Sequence, residues 1–323
     1  MTTLQDNFTE LIATLRDESQ ELSFGTLTKF AETLSDIAPV QLKPLLEVWD
    51  DVSLSRRHAL LAHLKRELDD NLLYNFNALA RPLLHDEDGI TRTYAIRLLA
   101  DYEREDLIPT FIDIALNDSE VETRTDTISL LGFYVHYGEL DEVSDEGLKK
   151  IEEALLQIAQ NAKRAKFKQY AVEALGFSSR EEVPALIEKA WQEETAMWKA
   201  SALFAMGRSY DSDRWQEQVL EGLVHENEIV RLAATKSAGN LSLDLARPIL
   251  LNSLREEDDE VVLRASIWSL SEIGGEDVRE HLLSLLDQLE GEDEQEAFLE
   301  DALANLDFTE GVQNLEYFDF DTP

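Results

Sequence analysis

The sequence contains no cysteine. That excludes disulfides, a thiol nucleophile and any thiolate-bound metal, and it suits a reducing compartment. Basic residues are scarce, 29 Lys and Arg against 67 Asp and Glu, for a formal net charge of −38. A field of that sign repels phosphate and anionic lipid, so neither nucleic acid nor a membrane is an expected partner. It suits a basic protein partner, or serves solubility alone. No apolar run approaches the roughly 20 residues that a membrane helix needs. The opening MTTLQDNFTELIATLRDE mixes apolar and charged residues from the start and has no basic-then-apolar leader. A cytoplasmic protein is therefore expected.

Motifs with chemistry are missing as well. The histidines are His58, His63, His85, His136, His225 and His281, and none stands at HExxH or another paired ligand spacing. Neither glycine-rich phosphate loop, GxGxxG or GxxxxGK[ST], occurs, and neither does a GxSxG elbow. HDEDG lacks the first aspartate and the closing glutamate of a calcium loop. The expectation is no enzyme, no catalytic residue, no metal and no cofactor. Trp49, Trp191, Trp198, Trp215 and Trp268 fall mostly in helical apolar patterns and are expected in the core.

What is present is a repeat. Hydrophobic residues make up 44% of the 323 residues. The length suits either two domains or a stack in which each unit packs on its neighbours. A basic residue opens a recurring segment: Arg92-TYAIRLLA, Arg124-TDTISLLG, Lys168-QYAVEALG, Lys199-ASALFAMG, Arg231-LAATKSAG and Arg264-ASIWSLSE. A degenerate copy stands at Arg56-RHALLAHL, another at Thr28-KFAETL, and a last one in QEAFLEDALANL. The fourth and eighth positions are small or apolar and share one helical face, which predicts that Ala95, Ala171, Ala202 and Ala234 are buried where neighbouring helices touch. Gly132, Gly176, Gly207 and Gly239 follow the segment and are expected to end the helix in a left-handed conformation. Upstream lie polar turns, HDEDG, NDSE, HENE and EEDDE, suited to stop one helix and cap the next. Each unit thus reads as a helix, a turn and a second helix, with no alternating strand pattern.

These segments resemble the HEAT repeat family, in particular the short bacterial variety of phycobilisome-lyase type. The resemblance implies an all-α fold, a right-handed α-solenoid of antiparallel helix pairs. It also implies that the basic residue bonds acidic turns as a ladder along the stack. Arg92, Arg124, Arg231 and Arg264 match that position, whereas Lys168 and Lys199 depart from it. Three regions are expected: divergent helical repeats over 1–80, the regular array over 81–306, and an acidic, aromatic tail over 307–323 without helical periodicity.

Three irregularities interrupt the pattern. An insertion around HYGELDEVSDEGLKK lengthens the interval between Arg124 and Lys168. Lys163, Arg164, Lys166 and Lys168 form the densest basic stretch, expected to be neutralised by neighbouring acidic turns. Residues 255–323 carry half of the net negative charge.

The function expected is a non-enzymatic scaffold that holds a protein partner, by charge a basic one, in the groove of the stack, the chain itself being monomeric. If positions four and eight face the core, positions three and six face the groove: Tyr94, Arg97, Asp126, Ser129, Tyr170, Glu173, Ser201, Phe204, Lys236 and Ser269. The alternatives are a lyase-like protein that handles a chromophore or cofactor, which the resemblance implies, and an acidic chaperone or DNA mimic. A DNA glycosylase built on the same repeat is opposed by the charge.

Overall fold

A computed structural model describes residues 2–71, 73–100, 104–289 and 293–316. Its regular elements are all helical among these residues, and the chain divides into two units. Unit 1 comprises residues 1–134 and 143–154, and unit 2 comprises 135–142 and 155–323.

Unit 1 contains α1 (Thr2–Arg16), α2 (Phe24–Leu34), α3 (Pro39–Glu47), α4 (Leu54–Asp70), α5 (Asn77–Leu83), α6 (Gly89–Leu98) and α7 (Ile108–Asn117), with the first parts of α8 (Val121–Glu139) and α9 (Asp145–Asn161). Alternate helices pack side by side, α2 on α4 and α4 on α6. The α6–α8 contact is polar and buried: the Thr93 and Thr123 hydroxyls lie 2.8 Å apart, and both donate to the Gly89 carbonyl. The insertion forms no long loop. It is absorbed into α8 and α9, which run 19 and 17 residues.

Unit 2 contains α10 (Ala165–Leu175), α11 (Val183–Trp191), α12 (Ala196–Arg208), α13 (Ser212–Leu223), α14 (Glu228–Asn240), α15 (Arg247–Glu256), α16 (Glu260–Ile273), α17 (Glu276–Leu286) and α18 (Asp293–Glu316). Here the two layers are regular. The second helices α10, α12, α14, α16 and α18 pack on one another in order, and α11, α13, α15 and α17 each cover the second helix that follows.

The polar turns do what their composition suggests. Asp88, Asn227 and Asp259 each accept a backbone N–H in the first turn of α6, α14 and α16, satisfying donors that a helix start leaves open. Pro39, Pro109, Pro184 and Pro248 occupy first-turn positions of α3, α7, α11 and α15, where a missing N–H costs nothing. Ala95, Ala171, Ala202 and Ala234 are fully buried, as the repeat pattern requires.

The repeat glycines have a different role from the one expected. Gly132, Gly207 and Gly239 lie inside helices, and Gly176 keeps right-handed geometry at the end of α10. Three of them make room for the next helix. A Cβ on Gly176 would sit 2.7 Å from the Ala205 Cα, one on Gly207 2.8 Å from the Ser237 Cα, and one on Gly239 2.9 Å from the Ser269 Cα. The second helices of unit 2 therefore meet backbone to backbone along a spine of small residues. Ser237 donates across it to the Leu203 carbonyl at 2.7 Å, and Ser269 to the Thr235 carbonyl at 2.9 Å. Positive-φ glycine geometry occurs instead at Gly274, which ends α16, and at Gly275, which opens α17.

The segment 307–316 continues α18, contrary to the expectation of a tail without helical structure. Arg279 bonds Asp307 and Glu310 on this extension. Tyr317, Phe318 and Phe320 lie outside the described residues.

Candidate functional site

The ladder of basic residues comes first, because it separates structural cations from available ones. Arg92 forks onto Asp118 with two bonds of 2.7 Å, while its Nη1 donates to the carbonyls of Asp86 and Glu87. Arg231 repeats the arrangement, with two bonds of 2.8 Å to Glu257 and others to the carbonyls of His225 and Glu226. In both cases one guanidinium ties its own turn to the next. Burial alone would raise the Asp118 pKa, but the Arg92 bond and charge and the Glu120 N–H bring it below the ordinary aspartate value. The Arg231 bond likewise lowers Glu257.

The other ladder members differ. Arg124 donates to the Ala115 carbonyl, Lys168 to the Gln160 carbonyl, and Lys199 to the Trp191 carbonyl while lying 4.2 Å from the Trp191 ring centre. The two lysines therefore satisfy the end of the preceding helix and, among the described residues, do not bridge to a carboxylate. In the N-terminal copy the ladder residue is Arg57, which donates to the Val52 carbonyl and faces Asp50 and Asp86. Arg56 instead caps the end of α1 through the carbonyls of Thr14, Leu15 and Gln20.

Arg264 is not a rung at all. Ser269 occupies the place of Ser237 on the glycine spine, so Trp268 corresponds to Lys236, and Arg264 stands one residue past the position of Arg231. The shift turns Arg264 into the groove on the second-helix face of unit 2, over the Phe298 ring at 4.2 Å. The groove has a volume of about 630 Å³. Its wall is built by Phe204, Trp268 and Phe298, and its charged groups are Arg208, Lys236, Arg264 and Glu272. Trp268 is 38% exposed, whereas Trp49, Trp191 and Trp215 are buried as expected. Its indole N–H donates to Glu272 at 3.0 Å. Burial raises the Glu272 pKa above the ordinary glutamate value, and that bond partly offsets it.

The expected contact positions divide into three groups. In unit 1, Arg97 reaches Asp126 at 2.6 Å and lies 5.8 Å from the Tyr94 ring centre, so these three residues cluster, with Ser129 half-buried on the following turn of α8. In unit 2, Phe204, Lys236 and Ser269 line the groove, though Ser269 is buried and its hydroxyl is spent on the spine. Ser201 is also buried and donates to Glu173, so it does not face an open groove. Burial raises the Glu173 pKa, and the Ser201 bond and the Arg208 charge oppose that rise. Tyr170 is half-buried with Lys166 5.6 Å from its ring centre. Sequence reasoning missed Arg208, Arg264, Trp268, Glu272 and Phe298. The spacing of 33 residues between Arg231 and Arg264, set against 32 between Lys199 and Arg231, was the available signal for the shifted register.

A second concavity, in unit 1, is lined by Phe8, Ile12, Arg16, Asp17 and Pro44 among others. Its charged groups are engaged: Arg16 bonds Asp51, and Asp17 accepts from Ser19 and Gln20. In the basic stretch, Lys163, Arg164 and Lys166 are exposed and form no ion pair among the described residues. No group of three or more His, Asp or Glu residues is placed to hold a metal among the described residues.

The sequence profile of HEAT repeats matches residues 183–271 and 216–304, the stretch that builds the groove. No curated protein sequence matches the chain. Similar solved structures include YibA of Escherichia coli, at 18% identity over 90% of this chain and 98% of that one, with a TM-score of 0.46. The CpcE–CpcF complex of phycocyanin lyase from Nostoc is 16% identical over 71% and 94%, with a TM-score of 0.48. Human deoxyhypusine hydroxylase is 15% identical over 84% and 97%, with a TM-score of 0.34. The match to HEAT repeats thus spans residues 183–304.

Proposed function

We propose that this chain is a non-enzymatic scaffold whose protein partner docks on the second-helix face of unit 2. The reading is carried by one observation: Trp268, Phe204 and Phe298 stand among Arg208, Lys236 and Arg264 in one open groove. Tryptophan and arginine dominate binding energy at protein interfaces, because large rings and forked guanidinium groups supply contact area and directed bonds at modest entropic cost. The glycine and serine spine holds α12, α14 and α16 at close range, so these side chains are presented from rigid elements.

Net charge favours a basic partner. We assign that preference to the surface outside the groove, where acidic residues would steer a basic protein toward the chain and the approach would slow as salt is added. The proposal takes the chain as a monomer in a reducing cytoplasm.

Affinity capture from the native host, with the wild-type chain and with Trp268→Ala as baits, tests the proposal. The expected result is one stoichiometric protein that the wild type retains and the variant loses. Losing a hot-spot side chain costs about 2 kcal/mol or more, roughly a thirtyfold drop in affinity. The same proteins on both baits would contradict the assignment of the groove.

A further inference from the structure

Three cations line the groove, one on each of three successive second helices: Arg208 on α12, Lys236 on α14 and Arg264 on α16. None of them forms an ion pair with a carboxylate among the described residues. Arg208 donates to the Glu173 carbonyl and lies 5.0 Å from the Phe177 ring centre. Lys236 is exposed, and Arg264 covers Phe298.

This lack of pairing is not for want of carboxylates. Arg255, Arg264 and Arg279 are the only basic residues in 255–323, the most acidic part of the chain. Arg279 is taken by Asp307 and Glu310, and Arg255 meets His281. Only the register shift keeps Arg264 away from the acidic turns and over an aromatic face. Glu272, the one carboxylate among the described residues that line the groove, is bonded by Trp268. Arg208 also acts on the buried Glu173 carboxyl, so Lys236 and Arg264 are the two cations that give the groove its positive lining in a chain whose net charge is −38.

Geometry narrows the ligand. Packed helices lie about 8–10 Å apart. An extended chain advances about 3.3 Å per residue, so carboxylates roughly three residues apart would meet cations on successive helices. The exposed Trp268 and the half-buried Phe204 and Phe298 offer apolar and ring surface between those cations. A nucleic-acid strand would carry a charge on every unit into the field of the whole chain, whereas a short acidic segment brings only a few charges.

We propose that this groove docks an acidic linear segment of a partner protein, whose carboxylates meet Lys236 and Arg264 while an aromatic side chain lies against Trp268 and Phe298. The inference rests on the scaffold reading above and adds the chemistry of the segment that is recognised.

The test uses the full chain and a fluorescein-labelled peptide with aspartate at every third residue and phenylalanines between. Its controls are the same peptide with asparagine or lysine for aspartate, and a labelled oligothymidine. The acidic peptide is expected to bind at least tenfold more tightly than any control. Lys236→Gln and Arg264→Gln are each expected to weaken it severalfold, with Arg264→Lys largely restoring the loss at that position. Lys236 is exposed and unpaired, so Lys236→Gln should keep the wild-type melting temperature and separates binding from folding. Equal binding of the asparagine, lysine or oligothymidine probe would overturn the proposal, and so would unchanged affinity in Lys236→Gln. If the acidic peptide shows no preference while Trp268→Ala still loses its captured protein, this inference fails and the scaffold reading stands.

Discussion

Arg97 in unit 1 and Lys236 in unit 2 occupy the same repeat position, five residues after Arg92 and Arg231, two ladder arginines with matching bonds. Their surroundings differ. Arg97 is held by Asp126 and stands 3.9 Å from Glu122. Lys236 meets no carboxylate among the described residues, and neither does Arg264, whereas Arg208 is largely buried and its charge acts on the Glu173 carboxyl. On the second-helix face of unit 1 Arg97 is thus neutralised by its neighbours, whereas on that of unit 2 Lys236 and Arg264 are left available. A cation that the fold does not use is the better candidate for contact with something else, since a paired one must first be released from its carboxylate.

The sharpest way to break this comparison is to remove one arginine of each kind. Arg231→Ala leaves Glu257, only 7% exposed, without its fork. Leaving a part-buried acceptor without its partner costs about 1–3 kcal/mol, and calorimetry should show a clear fall in the melting temperature. Arg264→Ala removes a contact with one ring, worth about 0.5–1 kcal/mol, so its melting temperature should stay close to wild type. Equal losses in the two variants would mean that Arg264 is a rung after all.

Next in size is the spine. Gly207→Ala sets a methyl group 2.8 Å from the Ser237 Cα, with backbone on the far side that cannot rotate away. Overpacking of this kind costs about 1–3 kcal/mol. Gly25 has open space around its Cβ direction, and Gly25→Ala on the same assay should show no such loss. If both substitutions are neutral, the second helices do not approach as closely as described.

The fold was largely legible in the sequence, and the site was not. The caps Asp88, Asn227 and Asp259, the buried alanines and the helix–turn–helix unit follow from local rules that act within one repeat. The glycines misled because a small residue near a helix end suits either a left-handed turn or a close crossing, and only the neighbouring helix decides between them. Arg56 beside Arg57, and Arg264 one place past the rung, show the same limit. The pattern marks a basic residue near the helix start, but packing against the adjacent repeat fixes which face it joins. The groove depends on that phase, so Trp268, Arg264 and Glu272 escaped a reading that placed Ser269 there instead.

A smaller effect separates the carboxylates of the two environments. Glu257 has a lowered pKa in the folded state, so its contribution to stability is present above the ordinary carboxylate pKa and is lost as pH falls through the folded value. Glu272 has a raised pKa, so the folded chain keeps its proton longer, and stability declines as pH rises from the ordinary value through the folded one. Glu272→Gln should therefore melt slightly above wild type at neutral pH, with the difference fading as pH falls through the carboxylate range. A difference that persists unchanged in acid would remove the contrast.

The deciding fact is whether a partner touches the second-helix face of unit 2. A photo-crosslinking amino acid in place of the exposed Val261 at the groove, and separately in place of the exposed Glu221 on the first helix α13, measures this in the native host. A discrete protein adduct is expected from position 261, suppressed by added Asp/Phe peptide, and little or none from position 221. Adducts of equal yield at both positions, or at 221 alone, would contradict docking on that face.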